Sequence, residues 1–305
     1  MDKDLPTGYV HVPTRPGTTA ARRWLHLAAR VGKPAARHAV LLCLSALFGF
    51  PYLWTLSTSL KPEQQLFAYP PQLLPQPFTW QNYVALFQNF PFARYLLNSS
   101  IITGLSVLGA VVSCSMVAYS FARLRWPGRD IMFILTLGTM MLPYQVIMVP
   151  LYLIFRRLGW VDTWYPLWVP AWFGVPFFIF LLRQFFLTLP HEIEDAAKVD
   201  GAGYIRTFVL IVLPLMRPAL ITVAIFAFMS SWNDFVGPLI YVHSNNLLPV
   251  SLGLQYINSS GAYMGQQFYA VLMAGAFCSI IPMVILFLLL QRYFVRGIVM
   301  TGLKG

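Results

Sequence analysis

The sequence predicts an all-α membrane protein with six transmembrane helices and both termini on the cytoplasmic side, and three observations predict it. The 305 residues are 58% hydrophobic and only 10% charged, against about 25% charged in ordinary soluble domains. Six apolar runs approach or exceed the ~20 residues that a helix needs to cross ~30 Å of hydrocarbon. All but four of the 21 Lys and Arg residues (Lys61, Arg94, Arg156 and Arg157) fall on one side of the resulting topology, which is the cytoplasmic side by the positive-inside bias.

Residues 1–38 are polar, rich in Pro and Arg, and lack the aromatic and β-branched density of a core. They read as a cytoplasmic basic tail, mobile at its start. Residues 39–305 read as one permeating domain. Its first apolar run, 39–60, is longer than the 7 to about 15 residues of a signal-peptide core and is expected to stay as a span.

The remaining runs are 95–122, 131–155, 166–189, 218–236 and 269–290. Pro143 and Pro150 interrupt the third, and Pro166, Pro170 and Pro176 line the fourth. Carbonyls freed by such breaks must be satisfied by neighbouring side chains or water, so these spans are expected to face protein or a cavity. The outer connections, 61–94 and 237–268, carry few charges and many Pro, Asn and aromatic residues. They suit either a docking rim or a simple cover over span ends.

Asp234 is the carboxylate embedded at a span end, where an acid is by default a functional candidate, yet capping or pairing with a basic neighbour is the commoner role. Trp160, Trp164, Trp168 and Trp172 suggest an interfacial belt. Arg156 and Arg157 are expected to snorkel outward or meet a partner. Cys43, Cys114 and Cys278 each lie in an apolar run and read as small buried hydrophobes. The net charge of +11 follows the borders of the spans rather than clusters interleaved with stacking aromatics, so nucleic acid is not an expected partner.

The segment 189–220, of which about 189–217 forms a loop between spans, is the polar interruption of the second half. Pro190 can open a helix from within its first turn, and Glu192, Glu194 and Asp195 place carboxylates at the positive end of its dipole. Ile193, Ala196, Ala197 and Asp200 recur at i, i+3, i+4 and i+7, a small flat face suited to docking. Gly201 is a natural stop, and Asp200 is placed to cap a second helix beginning near Gly203. His191-Glu192 lacks a second histidine four residues on, where Asp195 stands, so no metal site is expected. The sequence has no phosphate-binding Gly-rich loop with Lys-Ser/Thr, no nucleophile elbow and no convergent acid/base pair, so the chain is not expected to be an enzyme.

Glu194-Asp195-Ala196-Ala197-Lys198-Val199-Asp200-Gly201-Ala202, with Phe208, Ile211, Leu213-Pro214 and Pro218-Ala219-Leu220, resembles the EAA loop of ABC importer permeases; Asp195 stands where the motif usually has glutamate. Leu96-Leu97-Asn98-Ser99, Arg183-Gln184-Phe185-Phe186, Trp232-Asn233-Asp234-Phe235 and Gln291-Arg292-Tyr293-Phe294-Val295-Arg296-Gly297 extend the likeness over about residues 38–305, to the smaller maltose-type permeases of the carbohydrate-uptake class. The resemblance implies the type I ABC importer permease architecture, in which Glu194, Asp195, Ala196, Ala197, Asp200, Gly201 and Ala202 form a cytoplasmic coupling loop docked on an ATPase subunit. It further implies a second homologous permease, an ATP-binding cassette ATPase dimer holding ATP and Mg, an extracytoplasmic solute-binding protein, and a cell-membrane location among lipid. No cofactor is expected on this chain, and no substrate contact is assigned to it. Import of a sugar by alternating access is the function so implied. A glycerol-phosphate or polyol solute, or an ion-gradient-driven secondary transporter, is the alternative; the latter calls for ionisable residues within the spans.

Overall fold

The computed structural model describes the backbone of residues 19–264 and 267–302 and the side chains of residues 37–260 and 269–291. The start of the expected tail and the closing motif beyond Gln291 therefore lie outside the described side chains. The chain divides into two compact units, Met1–Trp54 and Thr55–Gly305.

Among the described residues the regular elements are all helical, in the order α1 (Thr19–Ser59), α2 (Glu63–Leu66), α3 (Gln81–Asn89), α4 (Phe92–Arg123), α5 (Arg129–Thr139), α6 (Tyr144–Arg157), α7 (Tyr165–Trp168), α8 (Pro176–Phe186), α9 (Glu192–Val199), α10 (Tyr204–Thr207), α11 (Leu213–Leu215), α12 (Arg217–Trp232), α13 (Val236–Tyr241), α14 (Val250–Met264) and α15 (Gln267–Gly302). Short 3₁₀ turns at Val169–Phe173 and Asn245–Leu247 and a π turn at Phe208–Val212 fill gaps between them. Helix α1 runs unbroken through the expected boundary at residue 38, with Pro34 and Pro51 both inside its range.

Among the described residues, four stretches are long and apolar enough to cross a membrane: Arg37–Ser59, Phe92–Arg123, Tyr165–Phe186 and Tyr269–Gln291. Two helix pairs bring the number to as many as six if each is one bent span: α5 with α6, bent by 100°, and Tyr204–Leu215 with α12, bent by 79°. The first bend falls at Pro143, whose extended backbone (φ −60°, ψ 139°) and missing N–H end the helical path. Pro150, by contrast, sits inside α6. The second bend falls between Pro214 and Pro218, at the start of the expected 218–236 run, which ends early, at Trp232, as α12. The outer connections are not bare loops: α2 and α3 occupy the first, α13 and α14 the second.

Helix α4 is the element the others pack on. One apolar cluster joins its Ala110, Cys114, Ala118 and Phe121 to Ile179, Leu182 and Phe186 of α8 and Ala219, Val223 and Ala227 of α12. A second joins Phe92 and Tyr95 at its start to Leu86, Ile257, Val271 and Ala274. Large exposed apolar side chains, such as Leu42, Phe48, Ile131, Leu135, Phe287 and Leu289, coat the outside of the candidate spans, the surface that hydrocarbon or a partner helix covers.

The polar residues of α4 satisfy backbone that its neighbours leave open. The fourth span is broken at Gly174 (φ 96°), and the loosened backbone before it is met from α4: Ser106 donates to the Leu167 carbonyl (3.3 Å) and Ser113 to that of Ala171 (2.9 Å). The Val175 N–H donates to the Cys114 sulfur (3.2 Å), so Cys114 is a buried acceptor at the break as well as an apolar filler. At the other end, Asn98 donates to the carbonyls of Asn246 and Leu248, and the Ser99 hydroxyl accepts from the Val250 N–H at 2.7 Å. In lipid such partners are obligatory, because no water replaces them.

The expected tryptophan belt is only partly a belt. Trp164 donates to the Leu247 carbonyl (2.9 Å) and Trp172 to that of Leu105 (3.1 Å), so both tie elements together. Beside them Asp162, in the left-handed region (φ 61°), accepts from the backbone N–H groups of His243 and Ser244 and from the Ser244 hydroxyl. Those hydrogen bonds, the Ser244 hydroxyl first, hold its carboxyl below the usual carboxylate range.

Tyr95 is fully buried with its ring across Gly253, where an added Cβ would stand 2.3 Å from a ring carbon. Gly253→Ala is therefore expected to destabilise the fold by about 1–3 kcal/mol through overpacking. The Tyr95 hydroxyl is buried with no hydrogen-bond partner among the described residues, so Tyr95→Phe is expected to be neutral or stabilising. Thermal unfolding of the detergent-extracted variants checks both signs.

Candidate functional site

Residues 189–220 form two short helices across a tight turn. Helix α9 begins at Glu192, with His191 as its N-cap, two residues beyond the expected opening at Pro190. The His191 carbonyl takes the N–H groups of Glu194 and Asp195 at 3.0 and 3.1 Å, and no side chain caps the helix. Its first-turn carboxylates Glu192, Glu194 and Asp195 face the positive end of the dipole as anticipated.

The turn after α9 explains the local sequence position by position. Asp200 is the C-cap, Gly201 follows with φ 76°, the Gly201 N–H reaches the Lys198 carbonyl (3.0 Å), and the Ala202 N–H reaches the Ala197 carbonyl (2.9 Å). This is the Schellman arrangement, in which the residue after the cap is left-handed and the next pairs with the last turn of the helix. No heavy atom lies within 4 Å of a Cβ added at Gly201, so the requirement for glycine there is one of backbone conformation alone. The second helix begins at Tyr204 with Gly203 as N-cap, as expected, but Asp200 does not cap it: Gly203 has an extended backbone and no side-chain cap bond.

The face of α9 that points away from the protein differs from the one the spacing suggested. Ala197 is 3% exposed and Glu194 8%, and Ile193 is half-buried. The outward residues are Glu192, Asp195, Ala196 and Val199, again at i, i+3, i+4 and i+7. Of the residues singled out in the sequence, Asp195, Ala196, Asp200 and Gly201 are exposed, Ala202 is half-buried, and Glu194 and Ala197 serve the inside. Val199 is 89% exposed and Ile205 80%, with Tyr204 also exposed, so apolar groups project at the turn. Lys198 and Asp195 pair at 2.9 Å on the surface, which holds the Asp195 carboxyl below its usual range and lifts the Lys198 ammonium. Exposed pairs of this kind add little stability.

The rotation of α9 has a cause that lies on another helix. Arg123, the last residue of α4, has a side chain 1% exposed. Its Nη2 donates to the carbonyls of Phe186 (2.6 Å) and Leu189 (2.5 Å), the open C-terminal carbonyls after α8. Its Nη1 contacts the His191 ring (2.8 Å to Nδ1), and its Nε lies 3.3 Å from Glu194 Oε1, an ion-pair contact off the line of a hydrogen bond. One guanidinium thus joins the ends of α4 and α8 to the start of α9 and draws Glu194 inward. The sequence reading used Arg123 only for topology; its place as the last residue of a span, opposite the next cytosolic helix, was the available signal. Tyr119, one turn earlier, adds ring contacts to Phe186 (5.7 Å) and Phe208 (4.8 Å).

Asp234 lies just past α12 and does cap: its Oδ1 accepts from the Gly237 N–H at 3.1 Å, and among the described residues it makes no ion pair with a basic neighbour. No group of His, Cys, Asp and Glu among the described residues could hold a metal ion.

Residues 107–300 match the family model described as binding-protein-dependent transport system inner membrane component. The chain is 33% identical to the probable ABC transporter permease protein YurM of Bacillus subtilis (strain 168), over 99% of this chain and 95% of that protein. It is 34% identical to the arabinooligosaccharides transport system permease protein AraQ of Halalkalibacterium halodurans, covering 84% and 91%, and 32% identical to the trehalose/maltose transport system permease protein MalG of Thermococcus litoralis, covering 88% and 95%. Its fold is similar to a chain in the crystal structure of a bacterial ABC transporter involved in the import of the acidic polysaccharide alginate, with a TM-score of 0.76 at 21% identity over 92% of this chain and all of that one.

Two expectations follow for the site. Arg123→Ala strips the partner from Glu194 and two carbonyls and is expected to lower stability by about 3–5 kcal/mol, with Arg123→Lys recovering less than half because an ammonium lacks the planar fork. At Gly201, Asn is expected to be tolerated best, Ala to cost about 1–2 kcal/mol for its left-handed backbone, and Val to cost more. Thermal unfolding of each variant after detergent extraction ranks them.

Proposed function

The chain belongs to the family of binding-protein-dependent transport system inner membrane components, and from that premise we propose that it is the sugar-conducting permease subunit of an ATP-driven importer. It crosses the membrane six times with both termini cytoplasmic, the two bent helix pairs each counting within one span. It assembles with a second, related permease, with a dimer of ATP-binding cassette subunits that holds ATP and Mg, and with an external solute-binding protein. The sugar assignment is supported by the relatives whose names specify arabinooligosaccharides and trehalose or maltose.

The observation that carries the reading is the projecting α9 turn, with its outward carboxylates, its small Ala196 and its exposed Val199 and Ile205. Apolar side chains so exposed at a helix turn are covered when a partner surface receives them. Glu192, Asp195, Ala196 and Val199 meet the ATPase subunit in this reading, with Asp200, Gly201 and Ala202 shaping the turn and Glu194 and Ala197 fastening it to the permease. Nucleotide-driven closure of the ATPase dimer moves α9 as a rigid body. Arg123 passes that movement to the ends of α4 and α8, and the spans rock between inward-open and outward-open states. A solute moved by an ion gradient instead calls for titratable groups along the spans, and a carboxylate at the end of α12 is the nearest described approach to one.

Two measurements test this. A single cysteine at position 198, in a chain with its native cysteines replaced, is expected to react with a membrane-impermeant maleimide in inside-out vesicles and not in right-side-out ones; labelling from outside removes the proposed topology. Ala196→Trp is expected to cut co-purification of the ATP-binding subunit by tenfold or more while the chain remains in the membrane. Full co-purification would mean that α9 docks by another face.

A further inference from the structure

A cavity of about 850 Å³ opens where the broken fourth span, α6 and the junction of α12 with α13 meet. Small-molecule sites occupy roughly 300–1,000 Å³, with apolar and aromatic walls and a few placed polar groups. The walls here include Phe155, Trp160 and Phe173, and the polar groups include Ser106, Ser230 and Asp234.

The carboxylate is held, not loose. Its Oδ1 accepts from the Gly237 N–H, its backbone carbonyl accepts from the Ser251 hydroxyl (2.6 Å), and its own N–H donates to the Ser231 carbonyl (3.3 Å). A Cβ at position 237 would stand 2.4 Å from Oδ2, so only glycine there lets the carboxylate lie where it does. The residues lining the cavity include no Lys, Arg or His. Ser230 is exposed to the cavity, and its hydroxyl makes no hydrogen bond among the described residues. The hydroxyl of Tyr241, another lining residue, is buried beside that of Tyr144.

These groups define a ligand class. A cavity whose lining carries a carboxyl group and no cation offers phosphorylated and uronate solutes no partner, whereas its fixed carboxyl oxygens accept hydrogen bonds from neutral hydroxyls in a site of low dielectric. Serine and tyrosine hydroxyls donate and accept, matching a polyol that does both. Aromatic walls take the apolar C–H edges of a sugar ring, and the stacked pair of Trp160 on Phe155 (5.4 Å between centroids) keeps one such wall rigid. Capping α13 accounts for the backbone hydrogen bonds of Asp234 but not for a glycine-seated carboxyl group that lines a cavity of this size.

We propose that this cavity is a solute subsite on this subunit, taking a neutral polyhydroxylated ring with Asp234 and Ser230 as its hydrogen-bonding groups. The proposal rests on the sugar-importer reading and adds to it a direct substrate contact on this chain.

The test uses the full complex with its ATP-binding subunits, second permease and cognate binding protein in proteoliposomes, with trehalose, maltose and arabinotriose as neutral probes and glycerol 3-phosphate as the anionic one. Wild type is expected to accumulate at least one neutral probe with ATP and not the phosphate. Asp234→Asn preserves the acceptor for the Gly237 N–H and removes the charge; a tenfold or greater fall in uptake is expected, with complex assembly and binding-protein-stimulated ATP hydrolysis retained. Ser230→Ala, which breaks no internal bond, is expected to raise the half-saturating concentration at least threefold. Wild-type uptake of no neutral probe, or of glycerol 3-phosphate in their place, overturns the sugar reading together with the subsite. Wild-type uptake of a neutral sugar that both variants leave within twofold overturns the subsite alone.

Discussion

The buried guanidinium of Arg123 is the interaction on which the working geometry depends. A helix that ends inside a protein leaves carbonyls open, and α8 ends at Phe186 with the chain still to turn toward α9. Arg123 closes the carbonyls of Phe186 and Leu189 and lies 3.3 Å from Glu194. A charge at 1% side-chain exposure is tolerable because Nη2 is shared by two carbonyls, Nη1 meets the His191 ring and Nε has the Glu194 carboxylate beside it as counter-charge. Stability is the smaller consequence. The larger one is that α9, eight residues long and too short to hold itself in place by propensity, has a fixed orientation relative to two spans.

Helix α4 carries a second constraint of the same kind. Spans that bend or break near a cavity must settle their backbone with neighbours, because hydrocarbon offers nothing. The fourth span breaks at Gly174, and Ser106, Ser113 and Cys114 meet that break; Asn98 and Ser99 meet the 246–250 backbone. A helix lined with small hydroxyls and an amide is a poor choice for simple apolar burial and a good one for this purpose. The same smallness admits close packing, as where the Trp172 ring fills the space a Cβ on Gly109 would need.

Length and hydropathy made the spans legible in the sequence, since ~20 apolar residues have few other uses, and the breaks at Pro143 and in the 166–176 region were legible from proline chemistry. The stop at Gly201 was legible too, because a left-handed residue after a helix has a strong preference for glycine. The outward face of α9 was not. Eight residues give two near-equivalent small faces, one through Ala196 and Ala197 and one through Ala196 and Val199, and the choice is made by Arg123, far away in the chain. Nor could spacing reveal that Asp200 leaves α10 uncapped, or that the second outer connection holds α13 and α14, the start of α14 being tied to α4 through Asn98 and Ser99. Local pattern names the element; contacts distant in sequence decide which way it faces.

The α9 turn and the cavity are far apart, yet two helices serve both. Helix α4 presents Ser106 to the cavity and Arg123 to α9, a separation of roughly 25 Å along the helix axis. Helix α8 starts two residues after Gly174, near cavity-lining Val175 and Phe178, and ends in the carbonyls that Arg123 holds. In the proposed coupling, a displacement of α9 reaches these two helices through Arg123, which spans the short 187–191 connection. Gly174, at φ 96°, separates α8 from the 165–173 segment, and Trp164 and Trp172 tie that segment to its neighbours. An access change needs one wall to move against another. The break in the fourth span, which weakens the helix, is the place where the proposed cycle can let the two walls part.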